Sequence, residues 1–262
     1  MSKTIILHIP HSSSDFSFAG SDIAIQMGDE WLKQATPLID WYTDELFTPE
    51  VSESRLIPIV FDTCRTLVDV ERMCNDPLES KGLGITAYTL LPATKYGDTV
   101  RQNRDEDIRY MKKYLEHQHE LANLLVENQG SLLIDCHSFS SRPIVLQPDA
   151  SKTQDIDICI GFNEDETRPN DEVLDLIYTH FLERGYKVAF NTPFSNSKTV
   201  ETPARYTSLM IEINKGIYMD EDTLEKSESF EKIRKDICSL YEKPANRACA
   251  LYWHKCDIPL QS

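Results

Sequence analysis

Three short apolar runs each end in residues able to do chemistry. Thr4–Ile9 leads into Pro10-His11-Ser12, Ser131–Ile134 into Asp135-Cys136-His137-Ser138, and Ser208–Ile211 into Glu212-Ile213-Asn214. Asp135 and His137 are two apart, which in a strand puts both side chains on one face. A histidine beside a carboxylate at a strand mouth suits a metal ligand whose ring the acid orients. A hydrogen-bonded structural histidine is the alternative. His11 follows a proline that sets the local turn, and its polar context fits a ligand or a capping loop residue. His8, inside the apolar run, reads as a buried structural residue. Glu212 lies in Leu209-Met210-Ile211-Glu212-Ile213, where an ionised carboxylate is costly unless paired or employed. Beside a metal-activated water it suits a general base with a raised pKa; paired with a buried arginine it is structural. Arg65 and Arg72 flank a stretch containing Asp69 and Glu71. Arginine grips carboxylates bidentately and stabilises oxyanions, although two solvated surface charges fit the same pattern.

The elements that must position these groups follow from periodicity. Buried strands are expected at Thr4–Ile9, Leu56–Phe61, Ser131–Cys136, Ile156–Phe162, Lys187–Asn191 and Ser208–Ile213. Helices are expected at Asp40–Phe47, Asp105–Glu127, Asp171–Arg184 and Ser227–Tyr241. In the long one Ile108, Met111, Leu115, Ala122 and Leu125 fall roughly on one side. Strands alternating with helices argue for an α/β layered sheet, and such sheets bind ligands beyond the carboxyl ends of their strands. The polar stretches Gly97–Asp107 and Asp220–Ser229 read as surface segments of a single domain spanning 1–262.

The formal net charge of −16 disfavours nucleic acid as a partner, and an anionic substrate would need a local arginine pocket. No run approaches the roughly 18 apolar residues of a membrane span. The N-terminus has no signal-peptide pattern, and the seven cysteines are scattered, so a reducing cytoplasm is expected. Cys64, Cys136 and Cys159 read as packing residues. The oligomeric state is left open. No G-x-S-x-G elbow is present, which disfavours a serine hydrolase.

Taken together, ILHIPHSS, DWYTDELF, FDTCRTLVDVERM, LLIDCHSFSSRP, DICIGFN, GYKVAFNTPF and SLMIEINKGIYM resemble the N-formylglutamate amidohydrolase family, in the family's order and over nearly the whole chain. The family is similar in turn to zinc carboxypeptidases and aspartoacylase. The resemblance implies a three-layer sandwich with a mixed, mostly parallel sheet of the zinc-carboxypeptidase kind. It also implies one zinc ion per chain and hydrolysis of N-formyl-L-glutamate, or a similar small anionic N-acyl amino acid, in histidine degradation. By the same resemblance His11 and His137 bind zinc, Glu212 activates water, Arg65 steadies the oxyanion, and Arg72 grips the substrate carboxylate. Ser138 and Asn214, beside these residues, are expected to touch substrate.

The chain departs from the pattern in four places. At the spacing of the relatives' H-x-x-E motif, His11 is followed by Ser14, so the third ligand must come from elsewhere. Asp44 is the first choice, with Asp40, Asp15 and Asp62 as alternatives; Asp40 could equally cap a helix. Glu71 replaces the Asn expected in D-x-N-R, where a negative charge would repel a substrate carboxylate. Lys215 replaces an arginine, and Pro193–Ser197 lacks the expected glycines. His119 loosely matches a family Y-H-x-x-L pattern but reads better as a helix-surface residue. A peptidase or deacylase on a larger substrate, or a carboxylate-binding protein without activity, are the competing readings.

Overall fold

The computed structural model describes residues 4–17, 35–50, 55–74, 76–77, 84–86, 107–142, 155–195 and 199–242. Among these residues six strands form one sheet: β1 (Ile5–Ile9), β2 (Leu56–Val60), β3 (Leu132–Phe139), β4 (Ile158–Gly161), β5 (Val188–Phe190) and β6 (Thr207–Asn214), in the order β2-β1-β3-β6-β4-β5. β2, β1, β3 and β6 run parallel, and β4 with its parallel neighbour β5 runs against them. The sheet is therefore mixed and mostly parallel. Its central strands are buried on both faces, which is why they read as near-continuous apolar runs. Pro58 lies in β2, an edge strand, where a missing backbone donor costs no ladder bond.

Helices cover both faces. Their described members are α1 (Thr43–Phe47), α2 (Asp107–Glu127), α3 (Asp171–Leu182) and α4 (Phe230–Glu242). On one face Leu7, Ile134, Cys136, Leu209, Ile211 and Ile213 pack against α1, α3 and α4 through Phe47, Phe181, Phe230 and Ile237. On the other, Ile6, Ile59 and Leu133 pack against Leu121 and Leu125 of α2. Asn170 caps α3, accepting from the Val173 amide at 2.9 Å.

Two local expectations change. α1 begins at Thr43 after Tyr42, which caps it in the left-handed region without a side-chain hydrogen bond; Asp40 is no cap and points elsewhere. The buried side of α2 is also not the expected one. Ile108 is 81% exposed and Leu115 45%, while Tyr110, Tyr114, His117, Gln118, Leu121 and Leu125 face inward. Tyrosines bring more buried area than the aliphatics they displace, and their polar tips can reach partners. Most of the stretch 97–107 lies outside the described residues, whereas 220–229 is largely exposed.

This phase of α2 can be checked by unfolding in urea. Leu121→Ala should cost about 2–5 kcal/mol, and Leu115→Ala should stay within about 0.5 kcal/mol of the parent.

Candidate active site

Strand alternation assembles the first part of the site. On β3, Ile134 and Cys136 join the α1/α3/α4 side, so Asp135 and His137 point to the α2 side. On β6, Leu209, Ile211 and Ile213 likewise leave Glu212 on the α2 side. His137 and Glu212 are register partners on adjacent parallel strands. His11 follows β1 at the same end, and its carbonyl accepts from the Asp40 amide at 2.9 Å.

Three carboxylates converge on the two histidines. Asp40 Oδ2 lies 2.9 Å from His137 Nδ1, and Glu71 Oε1 2.9 Å from His137 Nε2. His11 Nε2 donates to Asp69 Oδ1 at 2.9 Å. That leaves His11 Nδ1 buried with no hydrogen-bond partner among the described residues. The nearest acids to it are Glu71 Oε2 at 3.6 Å and Asp40 Oδ2 at 3.8 Å. Asp69 also receives Arg65 at 3.0 Å and the Glu71 amide at 3.1 Å, and Arg72 Nε lies 3.6 Å away. Gln118 donates to the carbonyls of Val70 and Thr199 at 2.6 and 3.0 Å, pinning the segment that carries Glu71.

The charges respond accordingly. Burial alone would raise the pKa of Asp40, but the two histidines and the nearby Lys215 hold it far below the ordinary range. Burial likewise opposes ionisation of Asp69 and is overcome by Arg65, His11 and Arg72. Glu71 is brought down to about 2, chiefly by His137 and His11 working against desolvation. His137 is pushed well upward: burial lowers its pKa, and Glu71 and Asp40 more than reverse this. Glu212, unlike the three other acids, moves upward. Burial lifts it to about 7, His137 opposes, and Asp40 and Glu71 add to the rise. Its Oε2 has no hydrogen-bond partner among the described residues, so one carboxylate oxygen is left for a reacting group.

His11, His137, Glu212, Arg65 and Arg72 thus come together as expected. Other expectations do not meet the cluster. Asp44 is exposed on α1, because the helix starts one residue before it and turns it outward. Asp15 is taken up by Ser17, and Asp62 by Lys113. The Asn214 amide is used at both ends, accepting from Gly216 N and donating to Ile156 O, so the structure gives it a turn-holding role. Ser138 is buried beside the Tyr218 phenol. Lys215 is buried with its ammonium on Pro37 O at 3.0 Å, and desolvation lowers its pKa. His119 is exposed. Asn196 and Ser197 of the glycine-poor loop lie outside the described residues.

The partner expected for His137 is also different. Asp135 accepts from His8 Nδ1 at 2.5 Å and from Thr199 Oγ1 at 2.6 Å, and His8 Nε2 meets His117 Nε2 at 2.9 Å. Asp135 therefore orients His8, and His137 is oriented from the loop side by Asp40 and Glu71. The sequence signal for His117 is its helical face, which it shares with Tyr110, Tyr114, Leu121 and Leu125. Burial, with His8 and His11 nearby, lowers its pKa to about 3 and keeps it neutral.

The donor chemistry fits a divalent metal. His11, Glu71 and His137 each offer a ligand atom, all within 4.8 Å of one another, and two imidazoles with a carboxylate suit zinc and related ions. Fold and site together define an α/β protein with a mixed, mostly parallel sheet and a histidine–carboxylate centre at the carboxyl ends of its parallel strands.

Residues 3–219 match the family model described as N-formylglutamate amidohydrolase, and the chain belongs to that family. It is similar to the crystal structure of N-formylglutamate amidohydrolase from Ralstonia eutropha JMP134, at 20% identity over 93% of each chain with a TM-score of 0.65. It is also similar to gene product Atu2144 from Agrobacterium tumefaciens, at 12% identity over 92% of this chain and 91% of that one, TM-score 0.59. At these identities the two structures speak for the fold. No curated protein sequence matches.

The raised Glu212 pKa has a consequence for stability. A carboxylate whose folded pKa exceeds its unfolded one costs nothing below the unfolded value, near 4.5, and its full penalty above the folded value, near 7. In metal-free protein, Glu212→Gln should therefore raise Tm most above pH 7, by the equivalent of roughly 3 kcal/mol. The gain should vanish toward pH 4.5 in thermal melts across that range.

Proposed function

We propose that this chain is a zinc-dependent amidohydrolase that cleaves N-formyl-L-glutamate, or a closely similar N-acyl amino acid, to formate and the free amino acid. The observation that carries the reading is the pairing of Glu212, its Oε2 without a partner, with His137 in register beside it and His11 across the cluster. Membership of an amidohydrolase family supports the reaction class. The site's place at the carboxyl ends of the parallel strands agrees with a zinc-carboxypeptidase type of sheet. Among the described residues no helix is long and apolar enough to cross a membrane.

His11 and His137 would hold the metal together with a carboxylate of the cluster. When bound, a zinc ion supplies Lewis acidity, polarising a carbonyl and making water more acidic. Glu212, lifted toward neutrality by burial, accepts the proton of the attacking water. The new C–O bond forms at the formyl carbon. Arg65, at the cluster's edge on Asp69, donates to the oxygen that gains charge. Glu212 then returns its proton to the leaving nitrogen as the C–N bond breaks, so the amine departs neutral. Arg72, with more than a quarter of its side chain exposed and held loosely by Asp69, is free to take the substrate carboxylate. In a chain of net charge −16, such arginines supply the local positive field that an anionic substrate needs.

Formate release from N-formyl-L-glutamate, measured alongside zinc content, tests the assignment. Glu212→Gln should retain zinc and lose about 10²–10⁴-fold in turnover, and His137→Ala should lose both. Wild-type protein replete with zinc and inert toward N-formyl and N-acetyl amino acids would overturn it. Arg72→Ala should raise KM for N-formylglutamate far more than it lowers kcat, because it removes a contact made equally before and during reaction.

A further inference from the structure

Resting on the metal reading above, we infer that Glu71 is the carboxylate ligand of this chain's metal site. It would thus stand in for the carboxylate that is missing three residues after His11. At the third position after His11 stands Ser14, which is exposed and has no carboxylate. The position taken by Glu71 reads as Asn in the D-x-N-R pattern that the sequence resembles, so the substitution places an acid where the pattern has an amide.

The geometry around the two histidines sorts the three acids by role. His11 uses Nε2 on Asp69, which leaves Nδ1 as the nitrogen with a free lone pair. His137 has a carboxylate 2.9 Å from each nitrogen, Asp40 at Nδ1 and Glu71 at Nε2, and with Asp40 as its orienting acid Nε2 is the ligand nitrogen. A histidine that binds a metal characteristically gives its other nitrogen to a carboxylate, which fixes ring and tautomer. Asp69 and Asp40 fill those orienting positions. Glu71 lies between the two remaining nitrogens: Oε1 is 2.9 Å from His137 Nε2, and Oε2 is 3.6 Å from His11 Nδ1. Each of the three residues offers a ligand atom within 4.8 Å of those of the other two. The backbone holds the arm in place from both sides, through the Glu71 amide on Asp69 and the Val70 carbonyl on Gln118. The alternative exchanges the roles, with Asp40 ligating beside His137 Nδ1 and Glu71 orienting Nε2. The two assignments rank the variants in opposite order.

The test is zinc affinity by competition with a chromophoric chelator on the full chain, with circular dichroism to confirm folding of each variant. Glu71→Gln should weaken zinc binding by more than about 100-fold, and Asp40→Asn by about 10–100-fold, the range of an orienting carboxylate. Glu71→Asp, which keeps the charge on a shorter arm, should fall between wild type and Glu71→Gln. In cobalt-loaded wild type and Glu71→Asp the visible absorption bands should differ, because a ligand has moved. Glu71→Gln within about threefold of wild type, or Asp40→Asn as the weaker binder of the two, would overturn the assignment of Glu71 alone. Wild-type protein that binds neither zinc nor cobalt would overturn the metal reading with it.

Discussion

Asp40, Asp69 and Glu71 lie within reach of two histidines, all at a depth where an unpaired carboxylate would not stay ionised. What makes this tolerable is mutual compensation. Asp69 draws in His11, Arg65 and the Glu71 amide, and His137 bridges Asp40 and Glu71. Removing any one member leaves another buried charge without its partner, which is costlier than the pair is favourable. The same negative charge, with burial, sets the pKa of Glu212 near 7, so the prospective base takes its character from residues with which it shares no chain segment.

The sheet exists in the form that such a cluster needs. β1, β3 and β6 run parallel, so the residues following or ending each strand gather at one edge. Period-two alternation sends Asp135, His137 and Glu212 to the side covered by α2. α2 then adds a layer behind the site. His117 meets His8, which meets Asp135, which meets Thr199, and Gln118 ties Val70 to Thr199. This polar network is satisfied from end to end, which favours one arrangement over alternatives that would strand a donor. Through Val70 it also sets where Glu71 stands.

Family membership and the likeness to two solved structures agree with a hydrolytic α/β enzyme. Within that frame the chain has its own features: Ser14 exposed beyond His11, Glu71 inside the cluster and Lys215 buried near Asp40. Ser14 and Glu71 differ in charge from the residues that the family pattern has there, whereas Lys215 keeps the charge of an arginine and loses its planar fork.

All six strands lie where hydrophobic runs place them, and the alternation within β3 and β6 already assigns His137 and Glu212 to a common face. Those features are local: side chains in a strand alternate whatever else the chain does, and a run buried on both faces must be apolar. The long helix was legible as a helix, but its inward face was not, since Ile108 and Leu115 form an apolar stripe as plausible as that of Tyr110 and Tyr114 until a sheet chooses between them. The pairing of acids with histidines was least legible. His137 meets Asp40 and Glu71 across 97 and 66 residues, and His11 meets Asp69 across 58. The segments carrying those acids are irregular there, so no periodicity says where their side chains point. Local chemistry along the chain thus decided which residues could act and on which face of the sheet they stand. Only the docking of the 61–72 segment and of Asp40 against the strand ends decided which carboxylate serves which histidine, because a buried charge settles with whichever partner the folded chain brings within reach.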